Sequence, residues 1–282
     1  MNEYELIEQL IDSKIIATHS LTGGCIADTR LVTFANQQQV VVKLNNPFAA
    51  SEAHGLIELS KAQVIRVPRV IYYSANLLVV EFIPSAAMKR DFWQDFGVKL
   101  AQLHGHSSPY FGFYEDNYIG SNRQLNDIKQ TTTTWRDFYW QYRLLAPYQL
   151  AEQCGLLSRE LAKKFARLEQ IYHKIIIDDG QLPALLHGDL WSGNYLLDSV
   201  GNPVLIDPAV YYGHPEAELA MTKLFGGFPR EFYSAYQAQQ PLTEDYFYRE
   251  KIYQLYHLLN HLNLFGGGYL AQVSQAIDFY IQ

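Results

Sequence analysis

Hydrophobic positions follow two different periods along the chain. Near the N-terminus, EYELIEQLID (3–12) spaces its apolar residues like one face of a short helix. Beyond it, KIIATHSL (14–21), CIADTRLVTF (25–34) and QVVVKLN (39–45) are alternating or β-branched runs, which are typical of strands. A glycine pair, Gly23–Gly24, and the polar turn ANQQ separate these runs. The first 45 residues therefore predict a helix followed by three strands.

A further helix and two further strands follow. Pro47 opens a predicted helix over residues 48–60, because proline is well tolerated in the first turn of a helix. Residues 64–84 contain two β-branched runs that meet at a turn at Ala75–Asn76, so they predict two more strands.

The period becomes helical after about residue 87, and we place a boundary between two lobes near residues 83–87. Residues 1–83 then form a small lobe and residues 84–282 a larger one. Helical spacing recurs in segments 88–106, 134–151, 158–177, 216–225, 231–237 and 245–265, and again from about residue 269. Residues 107–130 predict a long ordered loop. The predicted fold class is α+β, with five strands and one inserted helix in the small lobe, a mainly helical larger lobe and a cleft between them.

Composition narrows the class of protein. The chain has 282 residues, 48% of them hydrophobic, which is enough for a large core. Its formal net charge of −7 disfavours binding to nucleic acid or to an anionic membrane. The N-terminus is acidic and amphipathic rather than a secretory signal, and no segment reaches the roughly 20 apolar residues of a membrane span. We therefore expect a cytoplasmic protein whose two cysteines, Cys25 and Cys154, are reduced.

The segment LLHGDLWSGNYLLD (185–198) concentrates polar residues between apolar flanks. Phosphoryl transfer needs an acceptor for the hydroxyl proton and oxygen ligands for Mg²⁺. Asp189 can accept the proton, and Asn194 and Asp207 can bind the metal. A predicted hairpin of short strands at 195–198 and 203–206 would bring these two ligands side by side.

The small lobe supplies candidate contacts for a nucleotide. Lys43 is the one basic residue of an apolar strand, and Glu52 follows on the next helix. This lysine could pair with Glu52 and with α- and β-phosphates, or it could be an edge lysine that extends to solvent. Gly23 and Gly24 could let backbone N–H groups approach a phosphate, although a glycine pair also turns many hairpins.

Taken in order, these features resemble the kinase-like phosphotransferases: a glycine turn, a strand lysine, a helix glutamate, an HxD-type loop with an asparagine, and a metal aspartate. HGD and DPA, in place of HRD and DFG, indicate small-molecule kinases rather than protein kinases. More specifically, LLHGDLWSGN, DPAVYYGHPEAELAM (207–221) and LFGGFPREFYSAY (224–236) resemble the fructosamine kinase family. The resemblance extends over nearly the whole chain.

The resemblance implies a two-lobed, protein-kinase-like fold and an ATP- and Mg²⁺-dependent activity. The implied reaction phosphorylates the 3-hydroxyl of a ketosamine, either a fructosamine or a ribulosamine, free or on a protein lysine, as a deglycation repair step. Carried over to this sequence, Asp189 is the base, Asn194 and Asp207 are the metal ligands, and Lys43 and Glu52 position the phosphates. The following residues complete the implied ATP site: Gly23, Gly24, Cys25, Glu81, Phe82 and Ile83, the last three as the hinge whose backbone meets adenine.

Three residues are candidates for substrate contact. Trp191 either lines a sugar pocket or fills the core. His187 either contacts substrate or fixes the catalytic loop by hydrogen bonding, and His214 either contacts substrate or caps a helix. Pro215 follows His214 where the family leads us to expect arginine. If that arginine helps to hold the substrate or the metal loop, its replacement by proline leaves the choice of substrate open but not the core chemistry.

Cys25 and the overall function each leave alternatives. Cys25 either fits a turn or is a redox switch, which the resemblance also suggests, so the protein is either a monomer or a Cys25-linked homodimer. The leading alternative function is a kinase of another small amine or amino sugar, such as choline or an aminoglycoside. A binding module that has lost catalysis and a metal-dependent hydrolase are further alternatives.

Overall fold

A computed structural model describes residues 2–21, 27–176 and 180–282. Its strands are β1 (Ile15–Ser20), β2 (Asp28–Phe34), β3 (Gln39–Leu44), β4 (Val70–Tyr73), β5 (Leu78–Glu81), β6 (Asn117–Ile119), β7 (Asn122–Gln124), β8 (Ala184–Leu186), β9 (Tyr195–Leu197), β10 (Pro203–Leu205) and β11 (Tyr211–Gly213). Its α-helices are α1 (Glu3–Ile11), α2 (Ala49–Lys61), α3 (Phe92–His104), α4 (Trp135–Phe138), α5 (Ala146–Gln153), α6 (Arg159–Ile175), α7 (Pro215–Leu224), α8 (Arg230–Gln239), α9 (Tyr246–Phe265) and α10 (Leu270–Ile281).

The first five strands form one antiparallel sheet in the order β1-β2-β3-β5-β4. Side chains alternate across it, as the pleat requires. On one face, Val40 and Val42 are buried in a cluster that includes Ile7 of α1. On the other face, Val41 and Lys43 line a cavity of the cleft. This alternation places one lysine of an apolar strand inside the molecule and facing the larger lobe.

Helix α2 belongs to the small lobe and packs on β4 and β5. In the larger lobe, helices α5, α6, α7 and α10 pack on α9, which is buried along most of its length. Helix α3 packs closely on α8, because Gly97 has no side chain where α3 approaches the backbone of Phe232. Two lobes, one built on the sheet and one on helices, confirm the predicted α+β class. In the described part of the chain, no helix is long and apolar enough to cross a membrane.

The long elements lie where the hydrophobic period predicts them, but several short ones do not. The predicted loop 107–130 contains the β6–β7 hairpin, and β8 pairs with β11, a strand the pattern does not indicate. Residues Tyr139–Leu145 form a π-helical turn between α4 and α5. Three-residue strands are too short to show a hydrophobic period, so whether such a segment forms a strand depends on the segment it pairs with. Pro47 also precedes α2 instead of entering it, since Phe48 is the N-cap residue.

Candidate active site

Lys43 on β3 lies between two carboxylates. Its Nζ is 2.6 Å from Glu52 Oε1 on α2 and 2.6 Å from Asp207 Oδ1, two residues beyond β10. Burial lowers the pKa of Lys43, but the charges of Glu52 and Asp207 outweigh burial and hold the pKa above its usual value. The lysine is therefore charged. The alternative of an edge lysine extending to solvent is wrong, because β3 is an inner strand and the side chain is only 15% exposed.

A residue that the sequence analysis missed holds Glu52 in place. Asn46 Nδ2 donates a hydrogen bond to Glu52 Oε2 at 3.2 Å, and Asn46 Oδ1 accepts from the backbone N–H of Phe48 at 3.0 Å. Burial raises the pKa of Glu52, against the effect of Lys43. An asparagine just before a helix start was the available signal, since such side chains often bond to the first turn.

The loop after β8 carries Asp189. At Gly188, φ is +87°, and any Cβ would collide with the carbonyl oxygen of Ala209, so only glycine fits there. Asn194 Nδ2 donates to the Asp189 backbone oxygen at 2.7 Å and to Asp189 Oδ2 at 3.0 Å. Burial, with added repulsion from Asp207 and Glu218, raises the pKa of Asp189 to about 7, although the Asn194 hydrogen bond opposes this. The structure thus joins Asp189 and Asn194 directly.

The support beneath this loop is not indicated by the sequence pattern. Glu218 on α7 accepts hydrogen bonds from the backbone N–H groups of His187 at 3.2 Å and Gly188 at 2.7 Å. Its Oε2 is 2.9 Å from Nε2 of His104, whose Nδ1 is 2.7 Å from the Tyr236 hydroxyl. Burial raises the pKa of Glu218, but the bonds from His104 and Gly188 outweigh it, so the net shift is downward. An ionised, buried carboxylate therefore fixes the loop.

Two of the proposed substrate contacts need correction. His187 is fully buried, its Nε2 is 2.8 Å from the Ile206 oxygen, and its Nδ1 accepts from the Asp189 N–H at 3.3 Å. His214 is buried as the N-cap of α7 and accepts from Glu216 N–H at 3.2 Å. Neither side chain lines a cavity of the cleft. Because both ring nitrogens of His187 bond within the protein and His214 is buried as a helix cap, neither histidine is placed to contact a substrate directly.

The cleft contains two adjoining cavities. One, of about 360 Å³, is mainly apolar and is lined by Glu81, Phe82 and Ile83 among others. The carboxylate of Glu81 accepts a 2.6 Å hydrogen bond from Arg66, so it is engaged within the protein. The apolar lining suits an aromatic base, and the backbone contact to adenine stays a prediction.

The second cavity, of about 230 Å³, lies over the catalytic loop. Asp189, Asn194, Asp207 and Trp191 line it, facing Tyr118 of β6. Both cavities also share Lys43, Glu52 and Thr29, so they are parts of one cleft. The two cavities could therefore hold a nucleotide and a second molecule against the same charged groups.

Trp191 stands at the edge of this second cavity with 37% of its surface exposed. A Cβ on Gly193 would lie 2.5 Å from Cζ2 and Cη2 of the indole, so glycine makes room for this ring position. Phe225 contacts the indole edge-on with ring centroids 6.3 Å apart. Core filling alone is thus wrong for Trp191, because the ring is partly exposed in the cleft.

The glycine pair and the two cysteines are the remaining residues singled out in the sequence. Gly23, Gly24 and Cys25 lie outside the described residues. Cys154 is an exposed free thiol at the C-cap of α5 and lines neither cavity of the cleft.

The two lobes, the Lys43–Glu52 pair and the loop bearing Asp189 and Asn194 define the class: a protein-kinase-like phosphotransferase fold. A solved choline kinase from Streptococcus pneumoniae shares this fold with a TM-score of 0.62, covering 98% of this chain and 97% of that one. Its 16% identity makes the likeness one of fold alone.

Within that class, residues 3–282 match the model of the fructosamine kinase family, and the chain belongs to this family. It is 40% identical over 276 residues to a probable ketoamine kinase of Synechocystis, covering 94% of this chain and 90% of the relative. A Thermobifida fusca structure, solved as a candidate fructosamine-3-kinase, is 28% identical with a TM-score of 0.88. That match covers 99% of this chain and 98% of the other.

Proposed function

We propose that the protein is a ketosamine 3-kinase. It transfers the γ-phosphate of ATP to the 3-hydroxyl of a fructosamine or ribulosamine, free or on a protein lysine, as the phosphorylation step of a deglycation repair activity. The observation that carries the proposal is one cleft in which Lys43, Asp207, Asn194 and Asp189 line adjoining cavities. The names of the relatives, ketoamine kinase and fructosamine-3-kinase, supply the acceptor class.

Each charged group of the cleft has a distinct role in this proposal. Asp189 accepts the proton of the attacking hydroxyl. Lys43 neutralises donor phosphates, and Glu52 holds Lys43 at 2.6 Å so that its ammonium group stays in place. The apolar cavity at residues 81–83 takes the adenine.

Asn194 and Asp207 are the residues that would hold Mg²⁺. Asn194 donates its Nδ2 to Asp189, which leaves its amide oxygen for a ligand, and Lys43 contacts only one oxygen of Asp207. One amide oxygen and one carboxylate suit Mg²⁺, which takes few protein ligands and completes its shell with phosphates and water. The metal supplies charge neutralisation on the phosphates when it is bound.

A panel of acceptors tests the proposal. Purified protein with ATP and Mg²⁺ is offered fructoselysine, ribuloselysine, erythruloselysine, choline and an aminoglycoside, and the phosphorylated position is mapped by NMR. We expect turnover of at least one ketosamine with phosphate on its 3-hydroxyl. Turnover of choline or the aminoglycoside alone, or phosphate at another hydroxyl, would replace this function with the alternative amine or amino-sugar kinase.

Cytoplasmic location and a redox role of Cys25 remain predictions. The redox role is tested on a non-reducing gel with parallel activity assays after mild oxidation. We expect a covalent dimer with lowered activity in wild type and in Cys154→Ala, and neither effect in Cys25→Ala. A dimer that persists in Cys25→Ala contradicts the switch.

A further inference from the structure

A buried histidine lies beside the catalytic loop with one ring nitrogen unpaired in the described chain. His257 lies in the middle of α9 and is only 3% exposed. Within the described part of the chain, its Nδ1 has no hydrogen bond. Buried polar atoms are nearly always paired, so an unpaired one needs an explanation such as a ligand.

A carboxylate oxygen of the catalytic loop lies close to this unpaired nitrogen and indicates what could bind there. His257 Nδ1 is 3.9 Å from Asp189 Oδ1, too far for a direct hydrogen bond. Asp189 Oδ2 is already bonded to Asn194, so Oδ1 is the oxygen left to receive a proton. One oxygen atom between them could lie at about 2.8 Å from both Nδ1 and Oδ1, which is an ordinary hydrogen-bond distance.

The protonation state of the His257 ring also allows it to donate a hydrogen bond to that oxygen. Burial, with smaller contributions from His261 and Arg143, lowers the pKa of His257 to about 3. The imidazole is therefore neutral at neutral pH, with one N–H donor and one acceptor nitrogen. A neutral donor can orient a hydroxyl without forming a competing ion pair with Asp189.

We propose that His257 Nδ1–H and Asp189 Oδ1 together hold the hydroxyl that receives the phosphate, an inference that rests on the proposed function. The hydroxyl donates its proton to Asp189 Oδ1 and accepts a hydrogen bond from His257 on one lone pair. Its other lone pair attacks the γ-phosphorus. The new O–P bond forms as the bond to the β–γ bridging oxygen breaks, and ADP leaves with that electron pair. His257 keeps its proton throughout.

Three substitutions separate this role from packing. His257→Leu removes the polar atom while keeping bulk. His257→Asn can place an amide N–H near the position of Nδ1, and His257→Gln places it farther out. We expect kcat to fall about 100-fold in His257→Leu, as for loss of acceptor alignment. His257→Asn should retain much more activity than His257→Gln, with KM for ATP and affinity for ADP unchanged in all three.

A matched control lies on the same helix. The hydroxyl of Tyr246 is also buried without a partner in the described chain, but Tyr246 is the first residue of α9 and its ring packs against the ammonium group of Lys223, 4.8 Å from the ring centroid. Tyr246→Phe should leave kcat and the acceptor KM unchanged. This control shows that losing an unpaired buried polar atom does not by itself slow the reaction.

The following results would overturn the proposed role of His257. Wild-type kcat in His257→Leu overturns the proposal, and so do equal losses in His257→Asn and His257→Gln. If His257→Leu does not fold, the contrast between the Asn and Gln variants still decides, with folding checked by Tm. The acceptor used is whichever hydroxyl compound wild type phosphorylates. A wild type that ignores ketosamines but phosphorylates another acceptor therefore removes the proposed function without removing this test.

Discussion

The two sides of the cleft are built in different ways. On the sheet side, Lys43 and Glu52 are nine residues apart, on a strand and a helix with clear hydrophobic periods. On the helical side, the loop of Asp189 depends on Glu218 and, through it, on His104, which come from two separate helices. The sheet side thus relies on local contacts, the Lys43–Glu52 ion pair and the hydrogen bond from Asn46 to Glu52. The helical side relies on buried polar contacts between distant segments, where each lost partner leaves a polar group buried and unpaired.

The largest loss of kcat should come from replacing Asp189, the proposed base in the cleft between the two sides. Asp189→Asn keeps the shape of the side chain and removes its ability to take a proton. We expect kcat to fall about 10²–10⁴-fold, while Tm and ADP affinity stay close to wild type. Steady-state kinetics measures kcat, titration with ADP measures its affinity, and thermal unfolding measures Tm. Near-normal turnover in the folded variant would take Asp189 out of the mechanism.

The two carboxylates on Lys43 give the next contrast. Both lie 2.6 Å from Nζ, but only Asp207 is proposed to bind metal as well. Asp207→Asn should lower kcat by roughly 10²-fold and raise the Mg²⁺ concentration needed for half-maximal rate. Glu52→Gln should raise KM for ATP with little change in the Mg²⁺ requirement. If the two variants have the same Mg²⁺ dependence, Asp207 is not a metal ligand.

Two buried glutamates on α7 test the support of the loop. Glu218 bonds to the catalytic loop, whereas Glu216 pairs with Arg249 at 2.6 Å, away from the cleft. Glu216→Gln should destabilise the fold by up to about 3–5 kcal/mol, as for one partner of a buried ion pair, and Glu218→Gln by about 1–3 kcal/mol, as for buried hydrogen-bond donors that lose their acceptor. Only Glu218→Gln should also lower kcat of the folded enzyme, by about tenfold. Equal kcat losses in the two variants would mean that stability alone is responsible.

The dependence of stability on acid pH gives a second test of Glu218. The pKa of Glu218 is lower in the folded protein than its ordinary value of 4.5. A lowered folded pKa adds stability above the unfolded pKa, and this stability is lost as pH falls through the folded pKa. Denaturant unfolding between about pH 6 and pH 3 should therefore show a shallower loss of stability in Glu218→Gln than in wild type. A steeper loss contradicts the ionised state of Glu218.

The same difference between the two sides explains what the sequence could predict. The period of VVVKLN and of the helix after it indicated a pair of Lys43 and Glu52, with an edge lysine as the open alternative, and the structure has the pair. The HGDLWSGN motif grouped Asp189 with Asn194 but did not indicate the hydrogen bond between them. The partners of the loop could not be found in this way. Glu218 is separated from His104 by 114 residues, and within its helix it resembles any other buried position.

His187 shows the converse case: the sequence left a substrate contact and a loop-fixing role both open, and the structure has the loop-fixing hydrogen bonds. A polar residue inside a functional motif suggested a substrate contact, yet the motif uses it to tie β8 to the backbone near Asp207. Sequence proximity to a catalytic residue does not say on which side of the backbone a side chain lies. That depends on burial, which here follows from the pairing of three-residue strands.

The smallest predicted effect concerns how the loop presents Trp191. Gly193 is two residues from the indole, and an added Cβ would lie 2.5 Å from two ring carbons, so Gly193→Ala must move the ring. If the indole packs on the sugar of the acceptor, the acceptor KM should rise a few-fold while KM for ATP is unchanged. Gly268→Ala is the matched control, since a Cβ at that position meets open space. The indole is partly exposed, so its fluorescence should shift in Gly193→Ala and not in the control. A fluorescence shift with an unchanged acceptor KM would show that the ring moves without touching the acceptor, and would remove Trp191 from the substrate pocket.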